Sequence, residues 1–210
     1  MRSAHDTDGL AGRGRRIALA IVLLASLAPA ALVAQDDGAD PAGAARIALD
    51  TMISAIREGN TPMRDRMFFK LRILGEPSVE PLIATLSNDD ARVREYAAFT
   101  LSFIDDDRAV DPLLAMFAND AEVTVRTQAA RALGRMEEPR AIDPLIAALS
   151  DQRSEIRQDA AYSLGLIGDP RAIPPLKALA SDSDELVRFF VDDALVRIDR
   201  AVKRKAAEKK

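Results

Sequence analysis

Apolar residues recur along the chain with the period of an amphipathic helix. Counting from Ile156 as position 0, apolar side chains fall at positions 4, 8 and 11, which are Ala160, Leu164 and Ile167. This spacing places them on one face of a helix. The same stripe begins at four other points, namely Met63, Val93, Val125 and Val187. We call each of these predicted elements a second helix and number its positions from that first residue.

A shorter apolar element precedes the last four second helices. Examples are RMEEPRAIDPLIAAL from Arg135 and LIGDPRAIPPLKALA from Leu166. An acidic residue followed by proline suits the start of a helix, and a second proline in the opening turns predicts a kink or a restart. This second proline recurs at steps of 31, 32 and 31 residues, as Pro81, Pro112, Pro144 and Pro175.

Two sequence landmarks that keep one period indicate a repeat architecture. The period extends upstream to a first pair, with a helix over Ala44 to Arg57 and a second helix from Met63, but this pair lacks the Pro-Arg-Ala linker. The pattern therefore predicts an all-α fold, an α-solenoid of about five helix pairs over residues 41–198. A composition that is 4% aromatic agrees with helices packed through small side chains.

The N-terminal residues predict export. Arg13, Arg15 and Arg16 precede an apolar run from Ile17 to Leu27, and small residues follow it. Residues 1–34 therefore predict a signal peptide, with 35–40 as a linker. The alternative is an uncleaved membrane anchor over residues 17–34. We expect a periplasmic or extracellular protein, exported by either the general secretory or the twin-arginine route.

The chemistry of the chain is limited by the residues that it lacks. It contains no Cys, no Trp and one His, His5, within the predicted signal. We therefore expect no Ser-His-Asp or Cys-His catalysis, no metal site and no cofactor. Acidic runs such as Asp105 to Asp107 lack a calcium-loop pattern. A formal net charge of −4 gives no electrostatic reason for binding nucleic acid.

The repeated motif carries a family resemblance. The pattern D/E-P-R-A-I/V-x-P-L, then Asp, then V-R-x-x-A-A-x-x-L-G, resembles the HEAT repeats of the phycobilisome-lyase-like type. The resemblance implies a right-handed solenoid whose second helices line a concave face. It also implies contacts between turn aspartates and helix arginines, joining Asp120, Asp151 and Asp182 to Arg126, Arg157 and Arg188.

Candidate binding residues lie on the second helices, away from the apolar stripe. Positions 2, 6 and 9 point away from positions 0, 4, 8 and 11, with positions 3 and 10 beside them. Aromatic anchors with nearby arginines suit a peptide-binding groove. The alternative is that the rings fill gaps between adjacent second helices. The candidates are Phe69, Tyr96, Phe99, Phe103, Arg131, Arg135, Tyr162, Phe189 and Phe190.

These features predict a non-catalytic scaffold of the bacterial cell envelope that binds a protein or peptide through its second helices. The competing hypothesis is a lyase-like or chaperone-like subunit that acts on a modified partner protein. We expect a monomer. The tail over residues 199–210 is basic, so membrane contact is expected only there or through an uncleaved N-terminus.

Overall fold

The computed structural model describes residues 40–208, so the predicted signal and most of the predicted linker lie outside the described residues. Residues 41–208 belong to one unit and form ten α-helices, which pack as five pairs. The all-α solenoid of five helix pairs is thereby confirmed. The helices are α1 Pro41–Glu58, α2 Thr61–Leu74, α3 Val79–Thr85, α4 Ala91–Ile104, α5 Val110–Asn119, α6 Val123–Arg135, α7 Ile142–Ala148, α8 Ser154–Ile167, α9 Ile173–Ala178 and α10 Glu185–Ala207.

Even-numbered helices are the second helices, and each packs against the next along the chain. Their stripe residues form the core: Leu71, Leu101, Leu133 and Leu164 are fully buried. The last helix, α10, continues to Ala207, so most of the predicted basic tail is helical. None of the described helices is both long enough and apolar enough to span a membrane.

The Pro-Arg-Ala linker folds as a short 3-10 turn that leads into each first helix. Before α7, the Glu138 carboxylate accepts a hydrogen bond from the backbone N–H of Arg140, and the α-helix begins at Ile142. Pro144 is the third residue of α7, where a missing backbone N–H costs nothing. The change from 3-10 turn to α-helix therefore comes before Pro144, at Ile142, and the helix continues through this proline.

The linker arginines also connect neighbouring repeats on the outer surface. Arg140 Nη1 lies 2.9 Å from Asp111 Oδ1, and Arg108 Nη2 lies 3.1 Å from Glu76 Oε1. Because all four side chains are substantially exposed, each ion pair contributes little to stability. The recurrence of Pro-Arg is thus a feature of how repeats join.

Candidate functional site

The contact between consecutive second helices, which we call a joint, has a fixed register. Arg131 at position 6 of α6 donates from Nε to Asp159 Oδ1 at position 3 of α8, 2.6 Å away. A Cβ on Gly134, at position 9, would lie 2.6 Å from Cβ of Ser163, at position 7 of α8. Positions 6 and 9 therefore face the following second helix. Position 9 points away from the apolar stripe of its own helix and is nevertheless buried at Ser102, Gly134 and Gly165.

Position 2 also takes part in the joints. The Tyr96 hydroxyl, at position 3 of α4, donates to Asp65 Oδ1 at position 2 of α2, with a distance of 2.8 Å. Burial and this hydrogen bond raise the pKa of Tyr96 to about 12. Gln158 Nε2 likewise donates to Asp184 Oδ1 at the start of α10, 3.2 Å away. Side chains at position 2 therefore contact the neighbouring second helix and remain partly exposed to solvent.

The predicted aromatic stripe is divided into two clusters. In the first, the rings of Phe99 and Phe103 lie 4.9 Å apart and those of Tyr96 and Phe99 lie 5.5 Å apart. Phe68, which the sequence reasoning missed, is buried at the centre, 5.2 Å from Phe99. Phe69 is 55% exposed. Position 5 holds alanine in α4, α6 and α8, so a phenylalanine there was the available signal.

The second cluster lies at the other end of the described solenoid. Tyr162 and Phe190 have ring centroids 5.9 Å apart across the joint between α8 and α10, and Phe189 lies 5.4 Å from Phe190. Tyr162 and Phe190 are half-buried, whereas Phe189 is 61% exposed. Most of these rings therefore pack in joints and remain half-buried, whereas Phe69 and Phe189 are exposed.

Two arginines flank the ring of Phe103. The Arg135 guanidinium carbon lies 4.4 Å from the ring centroid, that of Arg72 lies 5.7 Å away, and Arg135 Nε donates to Ser102 Oγ. Cation–π contact attracts both groups without neutralising them. Among the described residues neither side chain forms an ion pair with a carboxylate. The surface beside Phe103 thus offers an aromatic edge and two cations to an anionic group.

Arg131, a predicted binding residue, has a structural role because it pairs with a buried carboxylate. Its partner Asp159 is buried, and burial raises the pKa of Asp159 although the hydrogen bond from Arg131 opposes that rise. Burial likewise raises the pKa of Glu95. A cleft of about 250 Å³ opens beside the ion pair of Arg131 with Asp159. It is lined by Arg131, Arg135, Asp159, Tyr162 and Phe190. The cleft brings together four of the predicted binding residues.

The implied contacts between turn aspartates and helix arginines occur, but through the main chain. Arg157 Nη1 donates to the backbone oxygen of Asp151 at 2.9 Å, and Arg188 Nη1 donates to that of Asp182 at 2.6 Å. Arg126 contacts the backbone oxygen of Asp120 in the same way. These bonds fix each turn against the start of its own second helix.

The carboxylates of this ladder bind the arginine of the preceding repeat. Arg157 makes two hydrogen bonds to Asp182, of 2.9 and 2.7 Å, and these bonds lower the pKa of that carboxyl. Arg94 holds Asp120 in the same bidentate way. The described residues include no such pair between Arg126 and Asp151, whose carboxylate lies 3.6 Å from Arg153 Nη1 instead, so the bidentate contacts of the ladder are interrupted at this step.

Carboxylates do not gather into a metal-binding arrangement in the described part of the chain. Between residues 40 and 208, no group of three or more His, Cys, Asp or Glu side chains is placed to hold a metal ion. What the second-helix face presents is an accessible aromatic surface with arginines beside it.

Comparison with known families agrees with this architecture. Residues 49–130 and 117–195 each match the family described as HEAT repeats, so together they cover residues 49–195. A chain from the complex of CpcE and CpcF of phycocyanin lyase from Nostoc sp. is similar in structure, with a TM-score of 0.63 and 28% sequence identity. The similarity covers 71% of this chain and 98% of that chain.

Two further solved structures are similar at a lower level. An engineered protein has a TM-score of 0.46 and 20% identity, covering 80% of this chain and 95% of that one. Human deoxyhypusine hydroxylase in complex with glycerol has a TM-score of 0.41 and 15% identity, covering 76% and 97%. These values are too low to bear on function. No curated protein matches the sequence.

Proposed function

This chain belongs to the HEAT repeat family, and from that premise we propose that it is a non-catalytic subunit that binds a partner protein along its second helices. The observation that carries the proposal is the surface around Phe103, where two arginines flank a half-buried ring and have no carboxylate partner among residues 40–208. Aromatic and arginine side chains are the residue types that dominate the energetics of protein interfaces. A sequence without Cys or Trp, whose only His is His5, supports a non-catalytic role.

The chemistry of this surface selects the kind of partner. Arg72 and Arg135 favour carboxylates, while the exposed ring of Phe69 and the half-buried ring of Phe103 favour apolar side chains. A partner segment that alternates acidic and apolar residues satisfies both. The matched structure is itself a complex of two proteins, CpcE and CpcF, which supports a protein as the ligand.

We further propose that the partner is met in the cell envelope, because the first 34 residues have the pattern of an export signal. N-terminal sequencing of the protein recovered from the envelope fraction tests this part. A start after Ala30 or Ala34 supports cleavage and export, whereas a start at Met1 in the cytosolic fraction contradicts export.

Affinity capture from the envelope fraction tests the binding surface. The double variant Phe69→Ser with Arg135→Ala removes one exposed ring and the cation that lies over the Phe103 ring, and it is expected to lose the captured partner. Lys177→Ala, at an exposed position of helix α9, removes one cation elsewhere and is expected to retain the partner. Equal capture by the wild type and both variants would contradict binding through the second helices.

A second candidate function is that of a lyase-like subunit that acts on a pigment-bearing protein. The favouring observation is the match to nearly the full length of a phycocyanin lyase chain. The visible absorption spectrum of the phycocyanin pigment, recorded with and without the purified chain, tests this role. A shift or an intensity change that Arg135→Ala abolishes supports it, and an unchanged spectrum rejects it.

A further inference from the structure

The joint register described above predicts what each second helix presents to its neighbour. Position 6 contacts position 3 of the following helix, as Arg131 does with Asp159. Position 9 contacts positions 7 and 10 of that helix, as Gly165 does with Ala194 and Ser102 with Arg135. The same positions on the two terminal second helices, α2 and α10, therefore identify surfaces shaped to continue the stack.

The last second helix has no successor among the described residues. Its joint residues are Phe189 at position 2, which is 61% exposed, Asp193 at position 6, and Val196 at position 9, which is 46% exposed. Leu186 beside them is 56% exposed. We call these four residues the trailing face. Terminal repeats of solenoids usually carry a polar outer surface, which keeps them soluble. The trailing face instead keeps the apolar character of a joint.

The first second helix presents the complementary positions on its opposite side. Position 3 of α2 is Arg66, which is exposed, and position 10 is Ile73, which is 69% exposed. We call this pair the leading face. Under the joint register, Asp193 of the trailing face meets Arg66, and Val196 meets Ile73. One contact joins opposite charges and the other joins two exposed apolar side chains.

We propose that a second copy of this chain stacks head to tail on the first, with its leading face on the trailing face. Asp193 is paired with Arg197 within α10, but that pair is exposed and contributes little, so the carboxylate is available to Arg66. Burial of Phe189, Val196 and Ile73 supplies the apolar contribution. A self-associating chain departs from the monomer expected from the sequence.

Such a contact uses two different surfaces, which gives it a specific signature. A head-to-tail interface leaves one free face at each end, so assembly continues beyond the dimer unless the ring closes. A symmetric dimer uses the same surface twice and stops at two chains. Variants that block one face each therefore distinguish the two arrangements.

Sedimentation velocity of the full-length chain over a concentration series tests the proposal. The wild type is expected to show an average mass that rises with concentration past that of two chains. Phe189→Asp with Val196→Asp blocks the trailing face, and Arg66→Glu with Ile73→Asp blocks the leading face. Each double variant alone is expected to stay monomeric, and circular dichroism shows whether it remains folded.

Mixing the two blocked variants is the decisive step. Each retains one intact face, so the mixture is expected to form a dimer and to stop there. Ala147→Asp, a change at an exposed position of the interior helix α7 and outside both faces, is expected to associate like the wild type. A wild type that stays monomeric, self-association that persists in both blocked variants, or folded blocked variants that fail to dimerise when mixed would each overturn the proposal.

Discussion

The guanidinium of Arg131 and the buried carboxylate of Asp159 form an ion pair across the joint between α6 and α8, with Nε 2.6 Å from Oδ1. The side chain of Asp159 is only 6% exposed, whereas that of Arg131 is 49% exposed. The buried carboxylate of Asp159 therefore needs Arg131 to compensate its charge, whereas the guanidinium of Arg131 is also solvated by water. A residue that sequence reasoning assigned to partner binding has a structural task.

Replacement of Arg131 by Ala leaves Asp159 buried without its cation. We expect a loss of about 1–3 kcal/mol in the free energy of unfolding at neutral pH, measured by urea denaturation. The double variant Arg131→Ala with Asp159→Ala is expected to lose less than Arg131→Ala alone, because no uncompensated charge remains. An equal or greater loss in the double variant would show that the pair itself is not the cause.

The deficit of Arg131→Ala should depend on pH. Burial raises the pKa of Asp159, and removal of Arg131 raises it further, because the opposing hydrogen bond is lost. The folded variant therefore binds a proton more tightly than the unfolded chain, and its stability relative to the wild type improves as pH falls. Denaturation curves from neutral pH down to pH near the ordinary aspartate value check this. A deficit that is constant over that range would contradict it.

The joint between α6 and α8 has no room for a side chain at Gly134. A Cβ there would lie 2.6 Å from Ser163 Cβ and 2.7 Å from Ser163 Cα. Gly134→Ala is therefore expected to destabilise the fold by about 1–3 kcal/mol, although Gly→Ala in an exposed helix usually stabilises by about 1 kcal/mol. Thermal unfolding measures the sign, and adding Ser163→Gly is expected to restore part of the loss. A more stable Gly134→Ala protein would mean that the helices do not approach so closely.

Two adjacent phenylalanines, one buried and one exposed, allow the contribution of a packed ring to stability to be compared with that of an exposed ring. Phe68 is 7% exposed and Phe69 is 55% exposed, so they form a matched pair on one helix. Phe68→Ala is expected to cost about 3 kcal/mol, and Phe69→Ala less than about 0.5 kcal/mol. Chemical denaturation compares the two variants directly. Similar losses in both would show that the first aromatic cluster is buried throughout.

In the part of the chain that the structure describes, the ladder contains both an arginine that binds a carboxylate and one that binds only main-chain oxygens, so the second serves as a control for the first. Arg157 binds the carboxylate of Asp182 in a bidentate way, whereas Arg126 has only main-chain oxygens as hydrogen-bond partners among the described residues. Arg157→Ala is therefore expected to cost about 1.5–3 kcal/mol more than Arg126→Ala. The difference should shrink in strong acid, since the pKa of Asp182 is lowered in the fold and its contribution is lost as pH falls through that value. Equal losses at neutral pH would contradict a ladder held by carboxylates.

The fold could be predicted from the sequence because the repeat determines both the helices and their register. The apolar stripe is buried, as its helical period predicts, at Ile156, Ala160, Leu164 and Ile167. The prolines mark the positions of the linkers. The neighbour that position 9 contacts could not be identified from the pattern of a single helix. A helical wheel defines which side is apolar, but small residues such as Gly134 pack against a neighbouring helix rather than solvent.

The candidate site could be predicted only in part. Its residue types were evident, since seven of the nine aromatic residues stand among the candidates. Their division into two clusters depends on which rings meet across a joint, as Tyr162 and Phe190 do. The pairing of Arg131 with Asp159, and the contact of Arg135 with Ser102 in place of a carboxylate in the described part of the chain, depend on distances between repeats. One helix pattern cannot supply those distances.

The proposal that a partner protein lies along the second helices is tested most directly by site-specific photo-crosslinking in the living host. A photoreactive phenylalanine analogue replaces Phe69 or Phe103 on the candidate face, and Lys177 on α9 as the control. We expect a crosslink to the same protein from Phe69 and Phe103 and none from Lys177. Crosslinks from Lys177 alone, or none from any of the three positions, would contradict it.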